Sequence, residues 1–207
     1  MLAAKLRPAN IDGSAGAIAE VARLVAQIGE RWPTVGILLR ADSGFAREAL
    51  MAWCENNAVD YLFGLARNTR LVAEIEAELA AAAELSQKSG TPARRFKDFT
   101  WATRGSWSRE RRVVAKVEWT GGEANPRFVV TSPAREGGEG RHLYEKLYCA
   151  RGDMENRINS LPSRKRGNAS STSSPTAPLF RPGAGARRAR CAPTSRRLVQ
   201  VFCRPAA

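Results

Sequence analysis

The sequence predicts an α/β fold, and three observations carry that prediction. Val35-Gly36-Ile37-Leu38-Leu39 is short, continuously apolar and bounded by a turn, the pattern of a strand buried on both faces. A second run of the same kind, Asp60-Tyr61-Leu62-Phe63-Gly64-Leu65, follows it. Segments with apolar residues at helical spacing precede each run, so helix, strand, helix and strand alternate as an α/β layer requires.

Leu2 to Arg7 suits the end of a strand stopped by Pro8, and a strand beginning at residue 1 is expected to have neighbours upstream. Ile18, Val21, Val25, Ile28 and Trp32 then place a helix over Ser14 to Arg31, ended by Pro33. After the Val35–Leu39 strand, Arg40-Ala41-Asp42-Ser43-Gly44 turns the chain into a helix from about Phe45 to Asn56, with Ala49, Leu50 and Trp53 inward. Beyond the second strand, Leu71, Ile75 and Leu79 mark a long Ala/Glu-rich helix that Gly90-Thr91-Pro92 terminates. Three strand-like segments come next: Phe99, Trp101 and Thr103 alternate, as do Val113, Ala115, Val117 and Trp119, and Arg127 to Thr131 is a compact β-branched run. The helical period returns from about Gly140 to Ile158, where Leu143, Leu147, Ala150, Met154 and Ile158 form one stripe.

After Ile158 the composition changes. Six of the eleven prolines lie there among Ser, Gly, Ala and Arg, without acids or sustained periodicity, which is the signature of disorder. Of 33 Lys and Arg residues in the 207-residue chain, ten fall in residues 160–207, leaving 23 basic and 20 acidic residues before them. The net charge of +13 therefore resides mostly in the tail, and it makes a polyanion, most commonly nucleic acid, the expected partner. The tail reads either as a flexible basic arm for DNA or as translation of a GC-rich gene in a shifted frame; the shifted frame is the preferred reading.

Cys54, Cys149, Cys191 and Cys203 show neither a C-x-x-C pair nor a disulfide framework, so they read as free thiols in a reducing cytoplasm. No stretch approaches the roughly 18 apolar residues of a membrane span, and the first residues are too short an apolar run for a signal peptide. A cytoplasmic chain without a membrane partner is expected.

Two places carry chemistry. Asp42 stands at the carboxyl end of the first buried strand, where ligands of open α/β sheets bind, and its carboxylate can hold a metal. Equally, Asp42 or Ser43 can simply cap the helix that follows. The second place is a late helix, on which Tyr148, Arg151 and Glu155 at i, i+3 and i+7 share a face beside the apolar stripe. An exposed, salt-bridged face accounts for that spacing as well. In the β-rich region Trp101, Trp107 and Trp119 are candidate base-stacking platforms or core residues. Arg94, Arg95, Arg109, Arg111 and Arg112 suit phosphate contacts or a solvated face.

Taken together, Arg40-Ala41-Asp42-Ser43-Gly44-Phe45, Phe63-Gly64-Leu65-Ala66-Arg67-Asn68 and Tyr148-x-x-Arg151-x-x-x-Glu155-Asn156-Arg157 resemble bacterial DDE-class insertion-sequence transposases. The subgroup resembled is the one whose last catalytic helix carries a Tyr-Arg-Glu-Lys signature. The resemblance covers roughly residues 1–158. It implies a ribonuclease-H-like mixed sheet with flanking helices, incomplete at its N-terminus, with an α+β insertion before the last catalytic helix. The expected divisions are a partial catalytic core over 1–68, a helix plus β-rich insertion over 69–135, the last catalytic helix over 136–158, and a basic, disordered, out-of-frame tail over 159–207.

The resemblance implies metal-dependent DNA strand cleavage and strand transfer at insertion-sequence ends, by a two-metal phosphoryl transfer with Mg²⁺. Carried over, Asp42 and Glu155 are the second and third catalytic carboxylates and metal ligands, while Tyr148 and Arg151 contact DNA near the cleaved end. Partners implied are transposon-end DNA and a second copy or an intact transposase. The departures are as informative: no residue supplies the first Asp, which the family places on an earlier strand, and Asn159-Ser160-Leu161-Pro162 stands before the signature Lys can occur. A catalytically incomplete copy is therefore expected, either a DNA-binding fragment without catalysis or a non-functional remnant.

Overall fold

The computed structural model describes residues 11–12, 14–134, 138–150 and 199–205. Helix α1, Ala17–Arg31, forms where the apolar spacing places it and buries Ala17, Val21, Leu24 and Ile28. Trp32, expected inward, instead stands half-exposed at the helix C-terminus. Strand β1, Val35–Ala41, buries its last five residues. The chain then takes one 3₁₀ turn, Ser43–Phe45, before α2, Glu48–Asn56, which packs through Leu50, Met51 and Cys54. Ala49 is exposed, because the buried face of the helix runs through Leu50, Met51 and Cys54. Strand β2, Val59–Leu65, follows.

The long Ala/Glu-rich helix is two helices. Asn68 caps α3, Thr69–Ala73, through its side chain on the Leu71 amide, and α4 runs over Glu76–Ser89 to Gly90. Gly90 adopts φ 67°, the left-handed C-cap that a residue with a Cβ rarely takes. Between the two helices Ile75 is fully buried and leaves helical geometry, which sends α4 across the hairpin beyond it.

That hairpin pairs β3, Ala93–Trp101, with β4, Arg111–Thr120, in nine antiparallel pairs. A two-residue strand, β5 (Glu123–Ala124), pairs with the end of β4, and β6 (Arg127–Thr131) lies antiparallel to both β4 and β2. The β-rich region therefore extends the same sheet as the α/β segment. Phe128, Val129 and Val130 are all buried, since helices cover both faces of the sheet where this central strand lies.

The sheet is mixed, ordered β3-β4-β6-β2-β1-β7, with β1 and β2 parallel and every other pairing antiparallel. One face, carrying Ile37, Leu39, Ala41, Tyr61, Phe63, Val113 and Val130, is covered by α1 to α4. The other, carrying Leu38, Leu62, Val114 and Val129, is covered by Leu143 and Tyr144 of the late helix. Gly140–His142, α5, opens that helix, and Leu143–Tyr148 continue it in π geometry, with the Cys149 amide on the Tyr144 carbonyl, five residues back.

The tail differs from expectation in one stretch. Val199–Pro205, within a region expected to be disordered, forms β7, antiparallel to β1 along its whole length. Seven residues of the type Val-Gln-Val-Phe-Cys-Arg-Pro have enough β-branched and aromatic character to pair once an open edge is offered. Residues 151–198 lie outside the described residues, as does the strand expected over Leu2 to Arg7. Among the described residues no helix is long and apolar enough to cross a membrane.

Candidate functional site

The parallel pair β1 and β2 ends with Ala41 beside Phe63, so the next residues, Asp42 and Gly64, come together at the carboxyl ends of the strands. Asp42 is extended, at φ −76° and ψ −178°, and its Oδ1 accepts the Gly44 amide at 2.9 Å. It thus caps the 3₁₀ turn rather than α2, whose first turn follows Arg47 with no side-chain cap. That bond fixes the carboxylate rotamer while using one oxygen; among the described residues Oδ2 accepts no hydrogen bond.

Opposite Asp42 the late helix arrives. A Cβ on Gly64 would lie 2.5 Å from the Tyr148 hydroxyl, 3.1 Å from the Ser43 amide nitrogen and 3.4 Å from the Asp42 carbonyl carbon. Gly64 is therefore the residue that lets Tyr148 reach the strand ends. Tyr148 is held by its neighbours on the same helix and sheet face: its ring stands 5.5 Å from that of Tyr144, which in turn packs on Phe96. Arg40, two residues before Asp42 on the same sheet face, is 3% exposed and donates to the Leu147 carbonyl. A guanidinium taken out of water is tolerable only when bonded in this way, so the pairing ties the helix to β1 one residue before Tyr148.

Of the four residues singled out from sequence, two meet at Gly64, Asp42 through its backbone and Tyr148 through its hydroxyl. Arg151 and Glu155 lie outside the described residues. The one-face argument for Tyr148, Arg151 and Glu155 assumed α-helical spacing; the described part of that helix is π-wound up to Tyr148, and Tyr148 lies within the apolar packing rather than beside it. Among the described residues no group of three or more His, Cys, Asp or Glu side chains gathers for a metal ion. What Asp42 offers is one fixed, hard carboxylate oxygen of the kind Mg²⁺ prefers, and a second ligand is needed to make a site.

The arginines and tryptophans of the β-rich region have internal duties. Arg111, its side chain 2% exposed, spans Glu48 and Glu55 of α2 with bonds of 2.7 Å to each. Arg109 also pairs with Glu55, Ser108 donates to Glu48, and the Tyr61 hydroxyl donates to Glu55 at 2.7 Å. Burial alone would raise the Glu55 carboxyl, but the bonds from Arg111, Tyr61 and Arg109 outweigh it and hold it down at about 2. Burial, with Glu55 beside it, pushes the Tyr61 phenol up, and burial pushes the Cys54 thiol up to about 12.

Arg112 is spent on Asp98 and on the carbonyls of Pro133, Ala134 and Gly138, and Arg94 on Glu118 and Glu145. Only Arg95 of the five has no acidic partner among the described residues. Trp101 is 6% exposed with the Arg70 guanidinium 4.6 Å over its ring, so it is closed to an incoming base; Trp107 and Trp119 pack against the core. Sequence reading missed the Arg111 centre, although Glu48 and Glu55, at i and i+7 on one helix, were its signal.

An acid stands at the end of a parallel strand of a mixed α/β sheet, and a late helix brings a tyrosine hydroxyl to the glycine beside its backbone. The chain belongs to the family described as transposase DDE domain group 1, whose model matches residues 1–177. The match runs past Ile158, into the Ser/Pro/Arg-rich segment. No curated protein and no solved structure matches the chain. The family is one of transposases, which act on DNA and generally use a divalent metal ion.

Proposed function

We propose that the chain is a core segment of an insertion-sequence transposase with a ribonuclease-H-like sheet, in which Asp42 and Glu155 hold Mg²⁺ and Tyr148 and Arg151 bind the DNA backbone near the cleaved end. The observation that supports this reading is the Tyr148 hydroxyl against Gly64 beside the Asp42 backbone, because it puts residue 148, seven positions before Glu155 in the sequence, at the strand end where Asp42 stands. Mg²⁺, when bound, supplies Lewis-acid activation of the attacking oxygen and charge stabilisation of the leaving one. The protein's part is positional. Asp42 presents a carboxylate whose rotamer the Gly44 amide fixes, and Arg40 ties the helix to β1. Arg151 supplies a charge-assisted contact to phosphate, and Tyr148 a hydroxyl beside it.

The signature Lys does not follow Glu155 before Asn159-Ser160-Leu161-Pro162, so the activity proposed for this copy is DNA binding without cleavage. The nine basic residues of 160–198, with no acid among them, add positive charge for phosphate, whether or not that stretch is read in the original frame. An electrophoretic shift of transposon-end DNA whose affinity falls steeply with salt, with no Mg²⁺-dependent nicking, is the expected result. Absence of any shift at low salt contradicts the reading, and nicking that disappears in Asp42→Ala contradicts the incompleteness.

A further inference from the structure

We propose that the outer edge of β1 is a strand-acceptor site, that its occupant is the chain's own segment Val199–Pro205, and that this segment is a detachable cap controlling self-association. The inner edge of β1 is taken by β2, leaving one row of backbone donors and acceptors for a further strand. Val199–Pro205 fills that row in seven consecutive pairs, from Ala41 beside Val199 to Val35 beside Pro205. The proline falls at the last pair, where a missing amide costs the ladder least.

Two features make the cap separable from the sheet it covers. Among the described residues β7 is the terminal strand of the sheet and has β1 as its only sheet partner. Val201 is only partly buried against the helix-side core, whereas Leu39, its register partner, is fully buried. A strand held by one neighbour belongs to the part of a fold that opens first. The edge beneath it is hazardous when bare, because Val35-Gly36-Ile37-Leu38-Leu39 is apolar and without proline, and the one charge of β1, Arg40, is buried on the Leu147 carbonyl. Uncapped copies are therefore expected to join through β1.

Hydrogen exchange on the full chain tests the occupant. Successive amides of a strand point to alternate neighbours, so with the cap in place all amides from Ile37 to Ala41 are protected; without it alternate ones exchange as if in solvent. The double variant Gln200→Pro/Val201→Pro must remove one ladder donor, since one of two adjacent amides faces β1. We expect it to lower protection of the alternate β1 amides by at least about tenfold while the β3–β4 hairpin stays protected, and to shift sedimentation from monomer to dimer or larger species. Alternate β1 amides already fast in the unaltered chain overturn the proposal. So does a variant that keeps both its protection and its monomeric state.

Discussion

The two ends of α2 present opposite uses of charge. Along the helix, Glu48 and Glu55 close on Arg111, and every donor group of that guanidinium is bonded. Just before the helix, Asp42 makes one bond to Gly44 and keeps an oxygen to spare, beside a glycine that admits the Tyr148 hydroxyl. A saturated buried network is how a fold holds two parts together. A fixed carboxylate with capacity left over, at strand ends where a second segment arrives, is how a fold presents a ligand. The difference explains why five arginines that suit phosphate in the sequence are mostly structural, while a single aspartate is the functional candidate.

The largest effect that can sharpen this comparison is at Arg111. Replacing it with Ala leaves Glu48 and Glu55, two turns apart on one face of α2, without their cation, and about 3–5 kcal/mol of unfolding free energy should be lost in urea titrations. Asp42→Asn keeps an acceptor for the Gly44 amide and should move stability by less than about 1 kcal/mol. Equal losses at the two positions would erase the distinction.

Next in size is Gly64. A methyl group there meets the Tyr148 oxygen and the backbone of residues 42 and 43, so Gly64→Ala should cost about 1–3 kcal/mol. Tyr148→Phe removes the nearest of the colliding atoms, and the double variant should recover part of the loss; strict additivity in the cycle would show that the two residues do not touch.

Acid offers the gentler probe. The Glu55 carboxyl is depressed from 4.5 to about 2, so its contribution to stability is present above pH 4.5 and is lost as pH falls toward about 2. Urea midpoints should decline over that window, and Glu55→Gln should flatten the decline. An unchanged slope in the variant would remove Glu55 from the centre of the network.

The elements with a single dominant local signal were legible in the sequence. The apolar run at Val35–Leu39 gave β1, the 3.6-residue spacing gave α1, and the alternation at Val113–Trp119 gave β4. The strand-end position of Asp42 was legible because the apolar run of β1 stops just before it. What escaped depends on distant partners: the break between α3 and α4 is set by burial of Ile75, and Arg111 finds its acids more than fifty residues away. Strand β7 was hidden by the composition around it, since a short apolar run inside a Pro/Arg-rich tail has no value until an open edge is known. The π-wound turn at Leu143–Tyr148 moved Tyr148 into the packing, which α-helical spacing could not anticipate.

The central claim is that Asp42 and Glu155 share a divalent ion at the carboxyl ends of β1 and β2. Titration of the full chain with Mn²⁺, followed by paramagnetic broadening of assigned backbone resonances, tests it directly. The account predicts that Asp42, Ser43, Gly64, Tyr148 and Glu155 broaden together, and that Asp42→Asn and Glu155→Gln each abolish the effect at both segments. Broadening at one segment without the other, or broadening that survives either substitution, would contradict it.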